Sequence, residues 1–261
     1  MLADVEDFRD ANRTTAIQKA VRLLQAIATS EEPRQLADLA EQVDMPKPSV
    51  HRLLAQLEEV GMIGRDITGK GFTVGGTLLR LAVDAMTVRA KQPAVHGIMR
   101  KLVNQVKESC NLGMLQDHEV IYVERVECDW PLRMQLQAGS RVPLHCTASG
   151  KLFLAQMSSR MRQRLLANLP LHKFTNNTIV DPESLEHECK AIRTSGVSIN
   201  REEYHLGLIG VAVPVRRSDR TVVATLSIHA PSFRMSVETA LGYVPLLQNS
   251  AVKIAAEAGF D

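Results

Sequence analysis

Aromatic side chains are scarce in this chain: 4% of 261 residues, with Trp130 the single tryptophan. A surface that stacks unpaired bases needs several exposed rings, so single-strand nucleic-acid binding is not expected. Cysteine is sparse too. Cys110, Cys128, Cys146 and Cys189 stand far apart with no CxxC pair, which argues against a disulfide framework and against a zinc site, whose ligands cluster at short spacing. His145 beside Cys146 is the nearest approach to a ligand pair, and buried or half-buried thiols are the expectation. Neither a metal nor a cofactor is implied. No apolar run is long enough to span a bilayer, so a membrane is not an expected partner. The opening stretch MLADVEDFRDANRTT is acidic and has no apolar core, unlike a secretion signal. The expected compartment is the cytoplasm, in association with the nucleoid.

Excess charge of either sign is missing as well. The formal net charge is +2. Over residues 1–93, 12 Lys and Arg face 13 Asp and Glu, a net of −1. Any contact with a polyanion must therefore come from placed residues and not from bulk basicity. Catalytic signatures are lacking too. Ser149-Gly150-Lys151 resembles the end of a phosphate-binding loop, but Leu152 follows the lysine and His145 occupies the place of the earlier glycine. There is no GxSxG elbow. Adjacent pairs such as His145-Cys146 and Glu202-Glu203 would point to opposite faces of a strand. An enzyme is not expected.

What is present is 45% hydrophobic and 23% charged sequence, the composition of a globular protein. Residues 1–12 show no packing pattern and read as a flexible tail. Ile17, Ala20, Val21, Leu24, Ile27 and Ala28 fall at helical spacing over residues 14–29, with Thr14 or Thr15 as N-cap. A short helix follows, with Leu36, Leu39, Ala40 and Val43 on one face. After a turn at Asp44-Met45-Pro46, PKPSVHRLLAQLEEVG places Val50, Leu53, Leu54 and Leu57 on one side of a third helix. Ser49, Arg52 and Gln56 lie on the other, with Lys47 and His51 near the N-terminal end. Gly61 suits its C-terminus. MIGRDITGKGFTV then reads as a hairpin with a Gly-rich tip, carrying Arg65 on the first strand and Lys70 at the tip.

Residues 75–91 and 94–109 read as helices separated by Pro93. Beyond them strands are expected over 111–116, 119–126, 132–136, 197–203, 208–215 and 221–230. Helices are expected over 148–156, 159–169, 182–195 and 236–258, the last kinked or divided at Pro245. This alternation implies an α+β domain around a mostly antiparallel sheet. The expected organisation is a DNA-binding unit over 13–74, a linker helix over 75–93 and a second domain over 94–261.

Three short helices and a hairpin suit a winged helix-turn-helix that lays its third helix in the DNA major groove. Arg52 can pair bidentately with guanine and Gln56 with adenine. Lys47 and Ser49 sit at the helix N-terminus, where phosphate contact is favoured. Arg65 and Lys70 could reach the backbone or minor groove. A solvated helix face is the plain alternative for Arg52 and Gln56.

The stretch QLADLAEQVDMPKPSVHRLLAQLEEVGMIGRD resembles the DNA-binding segment of the IclR family of bacterial transcription regulators. The phrases LHCTASGKLFLA, NREEYHLGLIGVAVPV and VVATLSIHAP resemble the same family further on. The resemblance implies a linker helix and a GAF-like α/β domain that binds a small carboxylic acid. It also implies homodimers, paired into dimers of dimers, reading pseudo-palindromic operator DNA. The protein would be a regulator, with repressor activity among the possibilities.

Carried over residue by residue, the resemblance places the effector pocket at the Ala148-Ser149-Gly150 turn, where a helix N-terminus suits a carboxylate. Ser149 as a simple helix cap is the alternative. Asn200 stands where many relatives have aspartate, and Gly210 where some have cysteine, which would leave more room. Ser227 matches a family serine. His229, two residues on, shares its side of the strand and stands where relatives often have serine; a rim histidine is the alternative. Leu132, Met134 and Leu144 are candidates for the pocket wall or for plain core. The implied effector is larger than a two-carbon keto acid, an aromatic or hydroxy acid.

Overall fold

A computed structural model describes residues 15–30, 32–90, 93–134 and 136–260. The tail expected over 1–12 lies outside them. The chain divides into two compact units, the first ending at Asp84 and the second beginning at Ala85.

The first unit holds α1 (Ala16–Ala28), α2 (Leu36–Gln42), α3 (Lys47–Glu59), β1 (Ile63–Arg65) and β2 (Phe72–Val74), and α4 (Gly76–Ala90) begins within it. Thr15 caps α1 in a reciprocal capping box with Gln18. α3 starts directly after Pro46, with Pro48 in its first turn. It ends where Gly61 adopts φ 70°, a left-handed conformation that glycine reaches without steric cost. The stripe Val50, Leu53, Leu54 and Leu57 is buried against Leu23, Ile27, Leu39, Ile63 and Phe72. β1 and β2 pair antiparallel. Arg34 adds a backbone bridge to Phe72, which ties the hairpin to the segment before α2.

The second unit adds α5 (Pro93–Val106), β3 (Ser109–Gln116), β4 (Glu119–Val126), β5 (Arg141–Pro143), α6 (Ala148–Gln156), α7 (Ser159–Asn168) and α8 (Pro182–Ser195). It continues through β6 (Ser198–Arg201), β7 (Leu208–Arg216), β8 (Val222–Pro231), α9 (Val237–Gly242) and α10 (Val244–Glu257). Six strands form one sheet in the order β5-β4-β3-β8-β7-β6. Every recorded pair is antiparallel. The fold is therefore α+β, a helix-turn-helix unit followed by an α/β domain on an antiparallel sheet.

Two sequence expectations are corrected. The helix expected to reach residue 109 ends at Val106, because Lys107 turns into the left-handed region at φ 60° and Ser109 already belongs to β3. No strand forms among the described residues of the stretch 132–136. Its backbone goes to a tight turn, Leu136 N donating to Met134 O, and to a side chain, Arg125 Nη2 donating to Met134 O at 2.8 Å. β5 takes the sheet edge beside β4 instead. The C-terminal helix is divided as expected: Tyr243 closes α9 and opens α10, with Pro245 in the first turn of the second.

The two faces of the sheet differ, as the period-two geometry of strands demands. One carries Cys110, Leu112, Met114, Val211, Val213, Leu226 and Ile228 against α5 and α10, an apolar core. The other carries Asn111, Ser198, Asn200, Thr225, Ser227 and His229, all buried. α6, α7 and α8 contribute a second apolar cluster with Val120, Tyr122 and Ala212.

Candidate functional site

On α3 the apolar stripe fixes which residues remain outside. Lys47, His51, Arg52 and Gln56 are exposed and Ser49 is half-buried. Lys70 is exposed at the hairpin tip. The tip is organised by Asp66, whose carboxylate accepts from Gly71 N at 2.9 Å, Lys70 N at 3.2 Å and Thr68 Oγ1. The Gly71 amide and Thr68 hydroxyl hold that carboxyl below its ordinary range. Arg65, half-exposed, is engaged within the unit. Its Nε and Nη2 each lie 3.0 Å from Glu58 near the end of α3, and its guanidinium stacks 3.8 Å from the Phe72 ring centroid. Arg65 braces the hairpin on α3, and its donor fork is already engaged by a carboxylate.

In the second unit one cavity of about 30 Å³ is lined by Tyr122, Met134, Leu136, Val142, Thr147, Ala148, Ser149, Asn200, Tyr204, Leu208, Gly210, Ser227, Ile228 and His229. That is room for about one water. The ladders explain the gathering. Ser227 pairs with Asn111, and His229 with Gly210, which pairs in turn with Asn200. Thr147 caps α6 by accepting from Gly150 N at 3.1 Å, so that the helix start faces the sheet. The hydroxyl of Ser227 is buried with no hydrogen-bond partner among the described residues, and that of Ser149, which finds none within 3.5 Å, lies near enough to the Tyr122 phenol to act on its titration. Unpaired buried hydroxyls are uncommon and call for a partner that arrives from outside.

Seven of the residues singled out from sequence line this cavity: Met134, Ala148, Ser149, Asn200, Gly210, Ser227 and His229. Three do not. Leu132 is 63% exposed, and Leu144 is fully buried in the cluster beneath α6. Gly150 is a packing residue, since a Cβ there would lie 2.4 Å from the Leu144 carbonyl oxygen. At Gly210 an added Cβ would stand 3.3 Å from Ile228 O and 3.5 Å from His229 Cβ, so a larger residue there would press lightly on its ladder neighbours. An aromatic ring would need the walls to move.

Arg125 and Asn111, behind the cavity wall, were missed from sequence. Arg125 Nη1 donates to Asn111 Oδ1 at 2.7 Å and lies 3.3 Å from His229 Nε2, while Asn111 Nδ2 lies 2.8 Å from His229 Nδ1. Burial, reinforced by the Arg125 charge, pushes the His229 imidazole down to about 3, so the ring is neutral. Burial pushes the Tyr122 phenol up to about 12. Arg125 hides from pattern reading because the register slips between Leu112 and Gly113, leaving Val123 as an extra residue in β4. Glu124 consequently meets His96 of α5 and Arg125 turns to the cavity side.

Lys151, also in the motif that opens α6, is fully buried. Its ammonium donates to Glu203 at 2.6 Å and Glu188 at 2.9 Å. It is a structural ion pair and does not point at a phosphate. The four cysteines are free and buried. Among the described residues no helix is long and apolar enough to cross a membrane.

Comparison with known proteins is consistent with this geometry. Residues 16–66 match the IclR helix-turn-helix domain, and residues 82–256 match the bacterial transcriptional regulator IclR C-terminal domain. The chain belongs to the IclR family: it is a transcription regulator with a helix-turn-helix DNA-binding domain and an effector-binding domain. It is similar to the probable transcriptional regulator SauR of Cupriavidus necator, 39% identical over 236 residues that cover 90% of this chain and 94% of that one. The transcriptional repressor IclR of Escherichia coli is 31% identical over 224 residues, covering 85% and 81%. An IclR homolog from Microbacterium hydrocarbonoxydans, crystallised in complex with 4-hydroxybenzoate, is 26% identical with a TM-score of 0.60, covering 95% of this chain and 100% of that one.

Proposed function

We propose that this regulator binds a pseudo-palindromic operator as a homodimer, itself paired into a dimer of dimers, and that a small carboxylic acid of hydroxy or aromatic type modulates that binding from the second unit. Residues 13–74 would serve as the winged DNA-binding domain, 75–93 as linker helix and 94–261 as effector domain. The observation that carries the effector reading is the unpaired buried hydroxyl of Ser227, on the same cavity as the Ser149 hydroxyl. A relative of the same fold binds 4-hydroxybenzoate, which supports the acid class. Met134, Ala148, Asn200, Gly210 and His229 would complete the wall.

Arg52 and Gln56 are assigned base reading, with Lys47, Ser49, His51 and Lys70 on phosphate. Arg65 is assigned to positioning the wing. Exposed apolar residues on α1 and α4, among them Ile17, Val21, Leu79, Leu81 and Val88, support pairing of two copies.

Gel shift on the DNA upstream of the protein's own gene tests the DNA reading. Arg52→Ala is expected to cost about 1–3 kcal/mol on the operator and little on random DNA. Lys70→Ala is expected to weaken both alike and to reduce the salt slope by about one. Equal effects of both substitutions on specific and random DNA would refute the assignment. A thermal-shift panel of acids tests the effector, with a shift that follows ligand concentration by mass action. Stabilisation by glyoxylate or pyruvate alone would sink the hydroxy or aromatic assignment.

A further inference from the structure

The triangle of Arg125, Asn111 and His229 does not balance. Arg125 Nη1 faces Asn111 Oδ1 and His229 Nε2, and Asn111 Nδ2 faces His229 Nδ1. A neutral imidazole offers one lone pair and one N–H. With Nδ1 accepting from the asparagine, the proton sits on Nε2 and confronts the guanidinium N–H. Rotating the Asn111 amide only moves the conflict, because its NH2 then meets Arg125. Either way the group holds one N–H more than it has acceptors. Among the described residues the one carboxylate recorded on Arg125 is Glu127, 3.4 Å from Nε, which also pairs with Arg133. Buried cations and surplus donors of this kind are completed by an anion.

Resting on the effector reading above, we propose that an acid oxygen of the effector bridges His229 Nε2 and Arg125 Nη1, seating the acid at this end of the cavity and not at the N-terminus of α6. The 3.3 Å Nη1–Nε2 side is the long side of the triangle, so it is the place where an oxygen can enter and receive both N–H groups. His229 lines the cavity directly, with the Ser227 hydroxyl unpaired two residues away on β8. The opposite end offers Ser149 Oγ beside the Tyr122 phenol, with Tyr204 also in the wall. That end suits a hydroxyl. The ligand class is thus a small hydroxy acid held acid-first against β8 and β3, with its hydroxyl toward α6.

The test is titration calorimetry of the full chain with matched acids and amides: glycolate and glycolamide, 4-hydroxybenzoate and 4-hydroxybenzamide. In the wild-type protein at least one acid is expected to bind more tightly than its amide. Arg125→Met and His229→Gln should each weaken that acid about tenfold or more, the usual cost of losing one side of a charge-assisted hydrogen bond, and bring the acid-to-amide ratio near one. Ser149→Ala should keep that ratio and lose the preference over the matching acid without a hydroxyl, acetate or benzoate. An unchanged acid-to-amide ratio in Arg125→Met and His229→Gln overturns this seating while the effector reading stands. Failure of all four compounds to bind the wild-type chain removes both. Should either variant fail to fold, nitrogen NMR of labelled histidine in the unmutated chain decides. The His229 resonances should move on adding the acid and stay on adding the amide, and a still imidazole overturns the proposal.

Discussion

Replacing His229 with glutamine should flatten the pH dependence of stability by an amount the structure sets. The ring sits among Asn111, Arg125 and the cavity wall, and burial with the nearby guanidinium lowers its pKa from 6.5 to about 3. The folded state therefore holds the imidazole neutral where the unfolded chain would protonate it. For a group whose folded pKa is depressed in this direction, stability is complete above 6.5 and falls as pH drops toward 3. Within that window unfolding takes up close to one proton, about 1.4 kcal/mol per pH unit. Between pH 7.5 and 5.5 the unfolded-state titration removes about 1.4 kcal/mol, equivalent to about 3–6 °C for a domain of this size. Glutamine has no such term, while the other titrating groups are common to both proteins and cancel in the difference. Thermal melts of the full chain and His229→Gln at the two pH values measure it. Parallel pH profiles would show that the imidazole protonates freely in the folded protein, and the donor conflict inferred above would lose its basis.

Lys151→Met should cost about 3–5 kcal/mol, because it leaves Glu203 buried without its cation. Adding Glu203→Gln should recover part of that loss in urea titrations. Gly150→Ala should destabilise the second unit by about 1–3 kcal/mol, since the new methyl meets the Leu144 backbone and α6 must shift. Its melting temperature is the readout. Glu58→Ala, which frees the half-exposed Arg65, should change stability by less than about 1 kcal/mol. Hydrogen exchange should nonetheless quicken in the wing amides at residues 69–71, while α5 amides keep their rates.

Local rules made much of this molecule readable before its structure. The α3 stripe follows a period of 3.6, and all four residues assigned to it are buried. Period-two reasoning put Ser227 and His229 on one side of β8, where both reach the cavity. The misses have physical causes. Leu132 and Leu144 flank turns whose direction depends on which backbone groups find partners, and short apolar residues near turns carry no signal of that. Asn111 looks like an isolated polar residue in an apolar strand, and only the neighbouring ladder shows what it meets. Tyr122 and Tyr204 approach from elements distant in sequence. Arg65 was placed on the correct strand, but its partner Glu58 lies seven residues back across a turn.

The extra residue in β4 has a consequence for how such regulators diversify. Val123 has no partner in the ladder with β3, and on either side of it the inward and outward positions exchange. Deleting Val123 would restore plain alternation and leave Arg125 opposite Asn111, still on the cavity side. Closing the bulge with Val123 kept would do the opposite: Val123 would pair with Leu112 and Glu124 with Asn111, which presents Glu124 to the cavity and turns Arg125 toward the apolar core beneath α5. The sign of charge offered to an effector is thus written in strand register as well as in side-chain identity.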